Sequence, residues 1–310
     1  MKQQTKMFNG LRGKITNSNS KSSLSSIKSV NASPFGSQMS LSEKVKSGFN
    51  EDDQDGLGKD YLDKGSAFYE KKQYDLAKEW FEKSAAMGNS ESMYYIGIIF
   101  KNGLGIPKNY NKAMNWYQKS ASLGNARAMN NMGFLYHKGL GVEKDYSKAV
   151  GWYEKSADLG YPAGMNNLGF MHQNGFGIVQ DFLEARKKYE SAANLGYVGA
   201  IINLGLLYKD GNGVEIDYAK ATELLSRGAA AKHAGAMYHL GLMCEQGLGN
   251  VQDYITAIKW YEQSAGLGNT SAMYNLGALY QNGLGVCVDL EKAGFWFGKS
   301  EKLSEMTEKE

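Results

Sequence analysis

Side chains able to do chemistry are few and scattered. His137, His172, His239, Cys244 and Cys287 are the nitrogen and sulfur candidates, and none stands in a C-x-x-C or H-E-x-x-H spacing that would converge two ligands on a metal. The segment EDDQDG at residues 51–56 places Glu51, Asp53, Asp55 and Gly56 where a calcium loop has ligands and its turn. The twelfth position is Leu62 rather than a bidentate Glu, so an acidic linker is expected. Gly-x-Gly loops recur, yet none completes G-x-G-x-x-G or leads into the Lys-Ser/Thr of a phosphate loop. No G-x-S-x-G occurs to present a nucleophile. The expectation is a chain that is not an enzyme, with no metal and no cofactor.

Composition narrows the partners. The chain has 310 residues, 35 Lys+Arg against 32 Asp+Glu, and 42% hydrophobic residues, so it can bury a core while presenting no strong net field. Neither nucleic acid nor membrane insertion is expected. Two cysteines are too few for a disulfide framework, which points to a reducing, cytoplasmic setting. Residues 1–42 carry six basic and no acidic residues among many Ser and Asn. They read as a disordered tail, with organelle targeting as the alternative.

The ordered part is organised by a period. Glycine recurs every 36 residues at Gly97, Gly133, Gly169, Gly205, Gly241 and Gly277. Ala113, Ala149, Ala185, Ala221, Ala257 and Ala293 keep the same interval, as do Trp116, Trp152, Trp260 and Trp296, with Lys188 and Leu224 breaking the last column. Within one unit ARAMNNMGFLYH predicts a first helix, Gly139 and Gly141 stop it, and YSKAVGWYEKSADL predicts a second helix closed by Gly160. A glycine inside the first helix costs about 1 kcal/mol relative to Ala, so close packing of Gly133 near Ala149 is expected.

The run A-M-x-N-L-G-x-L-Y-x-x-G-x-G-V-x-x-D-Y-x-K-A-x-x-W-Y-x-K-S-A-x-L-G closely resembles the Sel1-like repeat, a relative of the tetratricopeptide repeat. The resemblance implies an all-α, right-handed α-solenoid of helix-turn-helix units. Six units are expected at residues 89–124, 125–160, 161–196, 197–232, 233–268 and 269–304. Ahead of them, residues 59–88 lack the Gly-x-Gly loop and resemble a tetratricopeptide-type capping unit; residues 1–58 are assigned to tail and linker, and 305–310 to a polar acidic tail. Phe295 stands in a column otherwise held by Asn115, Gly151, Lys187, Glu223 and Lys259. Either the tail folds back over it as a cap, the favoured reading, or Phe295, Trp296 and Phe297 form a contact surface.

By analogy with tetratricopeptide arrays, the first helix of each unit lines a concave groove. Its candidate columns are Tyr94, Asn130, Asn166, Ile202, Tyr238 and Tyr274, together with Ile98, Phe134, Phe170, Leu206 and Leu242. This apolar floor suits a partner protein or peptide with spaced apolar anchors and does not suit a clamp for a terminal carboxylate. Family resemblance implies an adaptor or scaffold. A delivered bacterial effector using the same groove is the alternative, hinted at by Glu305, Glu308 and Glu310. A third reading is β-lactam hydrolysis, known in relatives with a cysteine pair in every repeat; this chain has only Cys244 and Cys287. Purified protein is therefore expected to give no turnover of nitrocefin, and measurable hydrolysis would overturn the non-enzymatic reading.

Overall fold

The computed structural model describes residues 51–308 as fourteen helices, with no strand among the described residues. The first helices of successive units, called A helices, are α1 (Glu51–Glu70), α3 (Ser90–Asn102), α5 (Ala126–Lys138), α7 (Pro162–Asn174), α9 (Val198–Asp210), α11 (Ala234–Gln246) and α13 (Thr270–Asn282). The B helices are α2 (Tyr74–Ala86), α4 (Tyr110–Ser122), α6 (Tyr146–Asp158), α8 (Phe182–Asn194), α10 (Tyr218–Ala230), α12 (Tyr254–Gly266) and α14 (Leu290–Glu308). Each helix packs chiefly on its chain neighbours, which is the arrangement of an α-solenoid. The tail expected over residues 1–50 and the final two residues, Glu310 included, lie outside the described residues.

Both helix boundaries in each unit follow from the sequence. Asn109, Asp145, Asp181, Asp217, Asp253 and Asp289 cap the B helices, each carboxylate or amide oxygen accepting a backbone N–H three residues on, as from Lys148 to Asp145 at 2.9 Å. Six A helices, from α3 to α13, end on a glycine in the left-handed region, among them Gly139 at φ 70°. The second loop glycine has a further constraint. A Cβ on Gly141 would stand 2.5 Å from Tyr110 Cβ, because the loop rests on the start of the preceding B helix.

The glycine inside each A helix sits against a ring, sharpening the expectation about Gly133. A Cβ on Gly133 would meet Tyr153 at 2.7 Å, with the Ala149 carbonyl next at 3.2 Å. Equivalent aromatic contacts join Gly97 to Tyr117, Gly169 to Tyr189, Gly241 to Tyr261 and Gly277 to Phe297. Only Gly205 differs, its nearest atoms being Leu224 Cβ and Leu225 Cγ at 3.2 Å.

Core clusters form between units rather than within them. Ala113, Met114, Tyr117 and Ala121 of α4 pack with Ala128, Met132 and Leu135 of α5, and the same pairing of a B helix with the next A helix recurs down the chain. A serine on the B helix ties the two helices within several units. Ser120 donates to the Ser90 carbonyl at 2.6 Å, Ser156 to Ala126 at 2.8 Å, Ser264 to Ala234 at 2.8 Å and Ser300 to Thr270 at 3.0 Å. Those carbonyls open the A helix of the same unit, so each serine braces one helix pair from the B side.

Two boundary expectations are corrected. Residues 51–58 are helical, not a linker, and the EDDQDG segment forms no loop in which calcium ligands could converge. The reason is tertiary: the Gly58 carbonyl accepts the Ser84 hydroxyl at 2.6 Å, and Gly58 lies against Met87. At the other end, KLSEMTE continues α14 to Glu308 instead of folding back as a cap, with no glycine or proline after Gly298 to stop it. Leu303 packs against the last core cluster. The outer face of α14 is made polar by substitution instead. Gly294 and Glu301 stand where Met114 and Ala121, Val150 and Ala157, and Ile258 and Ala265 are buried in other units.

Gly133→Ala is expected to destabilise the fold by at least about 2 kcal/mol, because Tyr153 is buried and has no room to retreat. Gly205→Ala should stay within about 1 kcal/mol of the parent, since the gain in helix propensity offsets a milder contact. Urea unfolding of both variants compares them directly, and equal losses would refute the ring contact as the cause.

Candidate functional site

The A-helix columns divide into three environments. Ile202 is 6% exposed and belongs to the core, filling space beside Gly228, where other units carry the bracing serine. It does not line a groove, which corrects the expectation for that position. Tyr94, Ile98, Phe134, Leu206, Tyr238 and Leu242 are half-buried and lean on core clusters. Burial pushes the Tyr94 phenol up to about 12. Phe170 and Tyr274 are the exposed members, at 38% and 60%.

Asn130 and Asn166 are half-buried and already engaged. Asn167 donates its amide to Asn130 Oδ1 at 2.8 Å, and Asn203 donates to Asn166 Oδ1 at 2.9 Å. An amide ladder therefore runs along three successive A helices and stops at Ile202. The donors, Asn167 and Asn203, occupy the adjacent column, which the sequence reading did not single out. Their signal was present as an Asn two residues before the repeat glycine, at Asn167 and Asn203.

Three predicted residues do come together. Phe134, Asn166 and Phe170 line a cleft of about 220 Å³ between α5 and α7, joined by His137, Lys138 and Tyr153. His137 stacks on Phe170 with centroids 5.9 Å apart, and Tyr146 stacks on Phe176 at 4.9 Å, so the cleft opens beside an aromatic pad. The reason lies in the repeat: Phe170 and His137 occupy solvent-side positions of neighbouring A helices, one unit apart. Burial first, then Lys138 and Lys144, hold the His137 imidazole below its ordinary value, favouring the neutral ring.

Across Phe134 a second cleft of about 290 Å³ is bordered by Lys101, Lys108, Tyr110 and Leu140. The Lys101 ammonium lies 5.6 Å from the Phe134 ring centre, and burial lowers its proton affinity. Lys108 and Lys138 flank the loops rather than the helix columns, and sequence reasoning missed them.

The aromatic triplet of α14 separates by role. Phe297 fills the ring position over Gly277, and Trp296 packs on the last core cluster, so both serve the fold. Phe295 alone is open, at 60% exposed, with the Lys299 ammonium 5.9 Å from its ring centre. Among the described residues no group of His, Cys, Asp and Glu side chains is placed to hold a metal ion, and no helix is long and apolar enough to cross a membrane.

Comparison with known proteins fits this geometry. No curated protein matches the chain. Among solved structures, a Sel1 repeat protein from Oxalobacter formigenes is 32% identical with a TM-score of 0.72, covering 78% of this chain and 96% of its own. Protein c5321, a protective antigen present in uropathogenic Escherichia coli strains and displaying the same repeat fold, is 31% identical with a TM-score of 0.62, covering 84% of this chain and 55% of its own. The immunity protein Pa5087 from Pseudomonas aeruginosa, 24% identical with a TM-score of 0.50 over 69% of this chain and 81% of its own, shares the fold. The family model for the Sel1 repeat matches residues 54–89, 90–125, 126–161, 162–197, 198–233, 234–269 and 270–304, so the segment that resembles a tetratricopeptide-type unit is matched as a repeat like the others. With seven consecutive matches between residues 54 and 304, the chain belongs to the Sel1 repeat family.

Proposed function

We propose that this solenoid is a non-enzymatic adaptor that holds a segment of another protein on its A-helix face, with apolar anchors seated around Phe134 and Phe170. The cleft between those two rings carries the reading: it is apolar-floored, it has amides fixed by the ladder at its base, and one of its walls is the exposed ring of Phe170. Exposed aromatic rings beside a preformed cleft are the usual anchoring points of protein interfaces. Sel1 repeat folds generally serve as protein-interaction modules, which supports the same reading. Cys244 and Cys287 are free thiols, in keeping with a cytoplasmic site of action.

The test separates contact from core. Phe134→Ala combined with Phe170→Ala should abolish capture of partner proteins in affinity purification with mass spectrometry, while helicity by circular dichroism stays nearly unchanged. Ile202→Ala, in the neighbouring A-helix column but buried, should instead cost about 2–5 kcal/mol of stability. If the double phenylalanine variant unfolds as readily as Ile202→Ala, the two rings are packing residues and the cleft is no binding site.

A further inference from the structure

Charge around the Phe134 clefts is one-sided. Lys101 and Lys108 border one cleft, Lys138 borders the other, and Lys144 lies beside the loop between them, its ammonium 4.6 Å from the Tyr146 ring centre. No carboxylate lines either cleft. None of these four lysines forms an ion pair among the described residues, whereas other basic residues do: Arg127 with Glu91 at 2.6 Å, Lys187 with Glu184 at 2.6 Å and Lys292 with Asp289 at 3.4 Å. Lys101 is the most telling, because it is half-buried over a ring with no anion to offset its desolvation. On a later A helix the column of Lys101 carries Glu245, which accepts the Tyr261 hydroxyl.

From this charge complementarity we propose that the occupant of the Phe134 and Phe170 clefts is an acidic peptide segment, an apolar anchor flanked by Asp or Glu side chains that pair with Lys101, Lys108 and Lys138. The proposal rests on the adaptor reading and adds the chemistry of the partner. The anchor supplies area, and the flanking carboxylates supply selectivity and speed of encounter. Because the acids meet the lysines at the rim and Lys101 beside Phe134, internal side chains suffice and no chain terminus is needed. A partner running toward the later repeats meets Glu245, so its acidic part lies over α3 and α5.

The experiment uses the full chain and synthetic peptides, acetylated and amidated so that no terminal charge remains. All carry a central Phe-x-x-Leu anchor, with flanks of Glu and Asp, of Ser and Gln, or of Lys. Fluorescence anisotropy should show the acidic set binding at least about tenfold more tightly than the neutral set at low salt, with the advantage shrinking as ionic strength rises. Lys101→Gln with Lys138→Gln should remove most of that advantage and leave neutral-set affinity within about twofold, and Lys138→Glu should raise affinity for the Lys-flanked set. Phe134→Ala with Phe170→Ala should weaken all sets alike. Equal binding of acidic and neutral sets overturns the acidic partner and leaves the adaptor reading standing. Failure of every set to bind overturns both, and tighter binding of a single-stranded oligo(U) RNA than of the acidic set overturns the peptide in favour of nucleic acid. Thermal unfolding of each lysine variant, expected to match the parent, confirms that any change is at the surface.

Discussion

The contact on which the array depends is a missing methyl group. Where an A helix crosses its B helix, glycine lets a tyrosine or phenylalanine ring lie against bare backbone: Gly97 under Tyr117, Gly133 under Tyr153, Gly169 under Tyr189, Gly241 under Tyr261, and Gly277 under Phe297. The glycine weakens its own helix by about 1 kcal/mol, and burial of a whole ring returns more than that. The ring is then trapped, and in two units its hydroxyl finds a partner at the open edge. Tyr189 reaches Gln173 Oε1 at 2.7 Å, and Tyr261 reaches Glu245. Burial pushes both phenols well above their ordinary value, so they stay neutral donors.

Because this contact closes each helix pair from inside, the remaining apolar face of every B helix is left for the next unit. That is why the core clusters span α2 with α3, α4 with α5, and so on to α12 with α13. No single unit owns a core, so stability is a property of neighbours. The end of the array obeys the same rule by exception. On α14 the two positions that other units bury become Gly294 and Glu301, which leaves nothing apolar there needing a cover. Phe295 lies outside that seam, in a column that is solvent-facing in most units, and so its exposure does not come from a missing neighbour.

Most of the architecture was legible in the sequence because a period of 36 residues exposes every column that packing holds constant. Loop glycines, acidic caps and the two helices per unit could be placed by their local chemistry alone. What escaped was whatever depends on one helix's contact with another. Residues 51–58 look like a glycine-bearing acidic linker, yet they are helical and Gly58 is held against Ser84 and Met87 of the paired helix. Ile202 shares a column with exposed Tyr274, yet turns inward because Gly228 vacates the space that a serine fills elsewhere. In the candidate site, Phe134, Asn166 and Phe170 could be named from their columns, whereas Lys108 and Lys138 could not, since loops break the helical register that made the columns readable.

A repeat presents the same face many times, so it becomes selective only where the columns stop agreeing. The early A helices do this in two ways at once. Phenylalanine occupies the position after the glycine only in α5 and α7, while isoleucine, leucine or alanine fills it in the other units from residue 90 onward. Lysine or histidine stands four residues after the glycine in α3, α5 and α9, where α7 and α13 have glutamine and α11 has glutamate, and of these Lys209 of α9 is paired with Asp210 while Lys101 has no ion pair among the described residues. Each departure has a member that does not serve the fold: Phe170 is 38% exposed, and a half-buried Lys101 without a counter-ion works against stability. Features that cost stability and coincide on one stretch of surface are accounted for by a ligand that offsets them, and an anion attached to an apolar anchor offsets both.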